Sequence, residues 1–193
     1  GATTTGTGST TTSQTRNTTT GQRITGAYSE GVTTSSDATN FATTTNQGAT
    51  ATAATTARAD ATMTDSGNRI TGTFTTSGTN FATATETSRT SNQGVVASDG
   101  STNVSTAFVS GTGDRISGTY DETATTTATT SYSSGRSNQG AETSRSGTDW
   151  STAAAIESGN RLLGNYTINS ATTGASTATA ATSNQGAYDS EAS

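Results

Sequence analysis

The sequence predicts an all-β repeat protein, either β-solenoid-like or a stacked-strand array, and three observations carry that prediction. An eight-residue phrase returns every 46 residues: 21–28 reads GQRITGAY, 67–74 GNRITGTF, 113–120 GDRISGTY and 159–166 GNRLLGNY. A second signal, Asn-Gln-Gly at 46–48, 92–94, 138–140 and 184–186, keeps the same interval. A fixed period is the signature of a repeat architecture. The third observation is composition. Thr occurs 52 times and Pro not at all; β-branched Thr favours strands, and Pro is the residue most disruptive to a sheet ladder.

Four repeats of 46 residues follow. Residues 1–47 form an atypical terminal repeat, almost pure Thr, Ser and Gly over its first 20 residues. Repeats two, three and four are 48–93, 94–139 and 140–185. Residues 186–193 begin a further unit or form a subunit-contact tail. In repeat two, Ala57, Ala59, Ala61 and Met63 alternate with polar residues, and so do Ile70, Gly72 and Phe74. Repeat three shows Val104, Thr106 and Phe108, then Ile116, Gly118 and Tyr120. Repeat four shows Trp150, Thr152, Ala154 and Ile156, then Leu162, Gly164, Tyr166 and Ile168. Strict alternation is the strand signal. The cluster at Gly-Asn/Asp/Gln-Arg between the two runs reads as a turn.

Composition sets further bounds. Leu, Ile, Val and Phe together number 16 in 193 residues, and net charge is only −5. So few large apolar residues cannot fill a conventional core. Backbone hydrogen bonding in a repetitive sheet is the remaining route to order. With no Cys there is no disulfide framework or thiolate metal site. All nine basic residues are scattered Arg in a mildly acidic chain, which argues against a nucleic-acid partner. No apolar run approaches the length of a membrane-spanning helix. The chain opens at Gly1 without Met, which reads as a processed or excised piece.

Each repeat also halves into units of about 23 residues, because Asn68-Arg69 lies midway between Asn46-Gln47 and Asn92-Gln93. If each half were one coil, Arg23, Arg69, Arg115 and Arg161 would alternate with Gln47, Gln93, Gln139 and Gln185. The arginines would then sit ~9.6 Å apart, twice the strand spacing, each guanidinium beside a Gln amide. The expected structural ladder consists of these eight residues and the aromatic column Tyr28, Phe74, Tyr120 and Tyr166.

The phrase ESGNRLLGNYTI at 157–168, with GTDW just before it, resembles repeats in very long secreted proteins of planctomycete-type bacteria. Those contain strand–G-N-x-[LI]-x-G-x-[YF]–strand units. The resemblance covers the four motif segments and implies a surface or matrix setting. A weaker similarity is to curli-like bacterial functional amyloids, whose units of similar length place Asn, Gln and Gly at turns.

Each candidate constellation has a structural reading. The Arg column suits anions or sugars, or it satisfies turn carbonyls and pairs with Asp65, Asp114 or Glu157. The aromatic column suits sugar stacking, or packs on the neighbouring strand. A Thr column at Thr10, Thr56, Thr102 and Thr148 invites an ice-binding reading. Asn17, Asn103 and Asn165 open Asn-x-Ser/Thr sequons and are candidates for glycosylation, with O-linked sugar on Thr or Ser the stronger form. Catalysis lacks support: His and Cys are absent, and Asp121-Glu122 and the alternation Asp99, Ser101, Asn103 read as solvated charges at turns. No cofactor or metal is implied. The expectation is a non-enzymatic extracellular or cell-surface structural protein that assembles with itself into a fibre, filament or matrix, with covalent glycans as further partners. The alternative is a monomeric repeat solenoid binding glycans or ice.

Overall fold

A computed structural model describes residues 3–184 and 187–192. It is all β. Nine strands form one antiparallel sheet in sequence order: β1 (Thr3–Gly21), β2 (Ala27–Asn46), β3 (Ala49–Asn68), β4 (Thr73–Asn92), β5 (Val95–Asp114), β6 (Thr119–Asn138), β7 (Ala141–Asn160), β8 (Asn165–Asn184) and β9 (Ala187–Ala192). The stacked-strand array is therefore the form adopted. Strands β2 to β8 are each 20 residues long, or about 68 Å at ~3.4 Å per residue. Ordinary strands run to about 10 residues.

The 46-residue period has a simple mechanical meaning. Two 20-residue strands, a four-residue loop (69–72) and a two-residue turn (93–94) make up one repeat. The register shifts once, in β1 between Thr4 and Thr7, and is otherwise constant from β1 to β8. Gly21 pairs with Tyr28, Tyr28 with Gly67, Gly67 with Phe74, Phe74 with Gly113, Gly113 with Tyr120, Tyr120 with Gly159 and Gly159 with Tyr166. Residues one period apart thus lie on one line across the sheet, perpendicular to the strands. Closing a sheet into a barrel needs tilted strands and a staggered register. This register has no net stagger, so the sheet stays open at both sides.

The half-repeats are antiparallel strands, not superposed coils. This corrects the expected Arg–Gln alternation. Arg69 follows β3 and Gln47 precedes it, so the two lie at opposite ends of a 20-residue strand. Every Arg-bearing loop falls on one side of the sheet and the described Gln turns, at 47, 93 and 139, on the other. Gln185 lies outside the described residues.

The sheet is a single layer. Among the described residues only Tyr28 and Tyr120 are buried large side chains, and no polar or charged side chain is buried. Residues paired across strands, or two apart along one strand, share a face. One face carries the aromatic line and an apolar line of Val32, Met63, Gly78, Val109, Ala124 and Ala155. The opposite face carries Phe41, Phe81, Phe108, Trp150 and Ile156, all largely exposed.

Candidate functional site: the stacked loops and their aromatic line

The site is built at the side of the sheet where β1–β2, β3–β4, β5–β6 and β7–β8 connect. The loops after β3, β5 and β7 are each shaped locally by the polar residue that ends the strand. Asn68 Oδ1 accepts from the N–H groups of Ile70 (2.8 Å) and Thr71 (3.1 Å). Asp114 Oδ1 does the same for Ile116 (2.7 Å) and Ser117 (2.9 Å), and Asn160 Oδ1 for Leu162 (2.9 Å) and Leu163 (3.0 Å). This is the side-chain turn that Asn and Asp favour. The loop then closes by a backbone bond, as from Gly72 N–H to Asn68 O at 2.9 Å. The closing glycine has φ of +82° at Gly72 and +79° at Gly118, a region where L side chains are strained. For that reason Ile70 and Gly72, whose alternation with Phe74 reads as strand, belong to a loop. The same correction applies to Ile116 with Gly118 and to Leu162 with Gly164.

Successive loops are joined to one another. Arg69 N–H donates to Gly26 O, Arg115 N–H to Gly72 O and Arg161 N–H to Gly118 O, each at 2.8 Å. Asn68 Nδ2 adds a bond to Thr25 O (2.9 Å), and Asn160 Nδ2 one to Ser117 O (2.8 Å). The third loop has Asp114 at that position, whose carboxylate offers no N–H. Each glycine also cradles the aliphatic residue of the next loop. A Cβ on Gly26 would meet Ile70 Cγ1 at 2.6 Å, on Gly72 Ile116 Cγ1 at 2.7 Å, and on Gly118 Leu162 Cγ at 2.6 Å. Gly26, Gly72 and Gly118 are accordingly buried, whereas Gly164 is exposed with nothing near it.

The arginines reach back over the sheet. Arg69 lies 5.0 Å from the Tyr28 ring centroid, Arg115 5.2 Å from Phe74 and 5.5 Å from Tyr28, and Arg161 4.5 Å from Tyr120. Each also pairs with a carboxylate on the same face: Arg69 with Glu30 at 2.9 Å, Arg115 with Asp65 at 2.9 Å, and Arg161 with Glu122. Beneath the guanidinium each ring faces glycine on both neighbouring strands, so the ring covers backbone that no side chain shields.

The choice between Tyr and Phe follows the next strand. Tyr28 Oη donates to Asp65 (3.1 Å) and Tyr120 Oη to Glu157. At the matching position beside Phe74 stands Gly111, which offers no acceptor side chain. Burial first, then the Asp65 hydrogen bond and charge, pushes the Tyr28 phenol above its ordinary value. For Tyr120 the Glu157 hydrogen bond leads and burial follows, with the same upward direction. Asp114 is held below the usual carboxylate range by the backbone N–H groups of Ser117 and Ile116.

The two outermost copies differ from the inner ones. Arg23 belongs to the first loop, with no earlier loop among the described residues to lie against. Tyr166 has no following Arg loop above it among the described residues and is 65% exposed, against 8% for Tyr28 and 7% for Tyr120. Ile24 is 93% exposed, against 61% for Ile70 and 64% for Ile116.

Glu30 is a site residue that the residue pattern did not single out, and Glu122 is one that it read as a solvated charge at a turn. Each stands 39 residues before its Arg partner, and that shared offset is the signal that could have found them. Glu122 sits in β6, not at a turn, and Asp99 lies within β5. Asn17, Asn103 and Asn165 are all exposed strand residues; Asn103 Nδ2 donates to Thr130 Oγ1 on the adjacent strand at 2.9 Å. The Thr column proves denser than its four members. Thr10, Thr39, Thr56, Thr85, Thr102, Ser131, Thr148 and Thr177 form one hydroxyl line across eight strands, on the face opposite the aromatic line. No group of three or more His, Cys, Asp or Glu suited to a metal occurs among the described residues.

No family model and no curated protein matches the chain. Among solved structures, a triple mutant of the porin of Rhodopseudomonas blastica aligns at 8% identity over 87% of this chain and 90% of its own, with a TM-score of 0.13. At that score nothing carries over from it.

Proposed function

We propose that this chain is a non-enzymatic structural protein that builds an extracellular or cell-surface fibre, filament or matrix by sideways growth of its sheet. The observation that carries this reading is the register, constant from β2 to β8. Each strand adds at the same height as the last, so the edge left after any strand repeats an earlier one. Natural sheets block such edges with charge, Pro or a cover. Here Pro is absent and charge is sparse. The exposed hydroxyls of both faces are available for O-linked sugar, which would solubilise a sheet with so little core. Negative-stain electron microscopy of purified protein tests the assembly. Filaments one strand-length wide, about 68 Å, are the expected result, and particles that stay monomeric at every concentration would refute it. Intact mass above the 19.1 kDa polypeptide tests the sugar.

The unbroken hydroxyl line supports a second reading, in which the monomer binds ice or glycans through that face. Replacing Thr85 and Thr102 with Val should then abolish ice shaping or glycan retention while leaving the β circular dichroism intact. No effect on binding would remove this reading.

A further inference from the structure

The first and last strand pairs of the sheet carry complementary halves of one joint, both on the loop side, and the inner loops show what the closed joint looks like. In each inner copy a loop seats its Ile or Leu on the preceding loop's glycine, donates its Arg N–H to that glycine's carbonyl, and lays its guanidinium on the preceding aromatic ring. Among the described residues the first loop has the inserting parts and nothing to insert into: Arg23 and the 93%-exposed Ile24. The last loop has the receiving parts, and nothing among the described residues is received there. Gly164 has open space where Ile70, Ile116 or Leu162 would lie, and Tyr166 is uncovered.

We propose that a second copy of this chain docks head to tail, its β1 pairing with β8 and its first loop closing on the last. The proposal rests on the assembly reading above and names its interface. Continuing the register places Gly21 of the incoming copy opposite Tyr166, as Gly113 stands opposite Phe74. Its Arg23 then takes the role of Arg115. Arg115 stacks on Phe74 and pairs with Asp65, and the residues one double period further on are Tyr166 and Glu157. Ile24 fills the cradle at Gly164, and Arg23 N–H meets Gly164 O. The same register sets Thr10 opposite Thr177 and extends the hydroxyl line into the next molecule.

The free length of β8 fits this strand. β9 pairs only with 179–184, leaving 165–178 without a second neighbour among the described residues. In the continued register, residues 9–21 of the incoming β1 cover 178 down to 166. Residues upstream of Ser9 would fall where Ala187–Ala192 already lies, so they leave the line. β1 is suited to this, because its pairing with β2 shifts between Thr4 and Thr7. Gly6 has φ +81°, and neither Gly6 nor Gly8 has anything near its Cβ position. Glycine permits such a departure at little steric cost.

A cysteine pair tests the joint. Thr20 of one copy would oppose Thr167 of the next, and directly opposed residues, with Cα atoms about 4.5–5.5 Å apart, fall within the Cα separation of about 4.4–6.8 Å that a disulfide spans. Within one chain the two lie seven strands apart, about 34 Å, so no internal bridge forms. The double variant T20C/T167C, oxidised under assembling conditions, should give a ladder of linked multimers, and either single variant none. Adding Ile24→Asp or Tyr166→Ala should cut the linked yield at least about tenfold, the factor given by ~1.4 kcal/mol of lost docking, with unchanged β circular dichroism. Filaments without linked multimers would overturn this joint and leave the assembly reading standing. Monomers throughout would end both. Linking by a single variant, or a yield indifferent to Ile24 and Tyr166, would show that the sheets meet differently.

Discussion

The two sides of this sheet turn the chain equally well but do different things. On one side Gln47-Gly48, Gln93-Gly94 and Gln139-Gly140 make two-residue hairpins with both φ angles positive, 47° and 85° in the first, the twist-matched type. A Cβ on Gly48, Gly94 or Gly140 would meet nothing, so these turns leave open space around their glycines. On the other side four-residue loops bond to one another, cradle one another's aliphatic residues and cover a line of aromatic rings. The lesson is that a tight turn only reverses the chain, whereas a slightly longer loop can also reach its counterpart one repeat away. Joining between repeats beyond the strand ladder is concentrated on the loop side.

Glycine replacement should break this contrast most forcefully. A Cβ on Gly113 would stand 2.5 Å from Thr119 O and 2.6 Å from the Phe74 ring, so Gly113→Ala should destabilise by about 1–3 kcal/mol through overpacking. Gly94→Ala has the space but not the conformation, with φ of +85°, and should cost about 1 kcal/mol. Urea midpoints of the two variants give the ranking; equal costs would deny the loop side its tighter packing.

Removal of the loop-shaping amide comes next. Asn160→Ala loses two N–H acceptor contacts and the bond to Ser117 O, and should cost about 1 kcal/mol by analogy with helix caps. Asp114 sharpens the point by pH. Its folded-state pKa is depressed, so its contribution is present above the ordinary carboxylate value and is lost as pH falls through the depressed one. Asp114→Asn should flatten that acid loss in a series of melting temperatures, and should supply the amide that Asn68 and Asn160 use between loops.

Smaller effects follow from the arginines and the hairpins. Arg161→Ala should cost about 0.5–1 kcal/mol, the range of an exposed cation–π contact with a partly exposed ion pair, and less in high salt. Arg23→Ala should leave the monomer's melting temperature unchanged. On the hairpin side Gln93 holds φ of 46°, where Asn is better tolerated, so Gln93→Asn should raise stability by about 0.5 kcal/mol. A larger gain there than the loss at Arg161 would reverse the comparison.

Much of this was legible in the residues, because periodicity survives folding. The 46-residue interval, the strand character of Thr-rich alternation and the turn at Gly-Asn-Arg are carried by the residues themselves, whereas Asn-Gln-Gly marked the period without being read as a hairpin. Ile70 and Gly72 misled. Their alternation with Phe74 is strand-like, but the Asn68 side chain captures the next N–H groups and bends the chain before a strand can continue. The pairing of Glu30 and Glu122 with arginine was missed because the partners lie 39 residues away, an offset visible in the sequence that no local pattern draws attention to.

The sequence by itself determined that the chain is β, that it repeats every 46 residues and that it turns near each Gly-Asn/Asp/Gln-Arg, since backbone preference and spacing decide these locally. Only the tertiary structure decided that the half-repeats run antiparallel. That choice sends arginine and glutamine to opposite sides of the sheet, sets each ring between two glycines, and gives each loop the previous one to rest on. The physical reason is that a ladder of backbone hydrogen bonds accepts many pairings of a repetitive chain. Which one forms depends on contacts between loops a full repeat apart, and no single stretch of sequence contains both halves of such a contact.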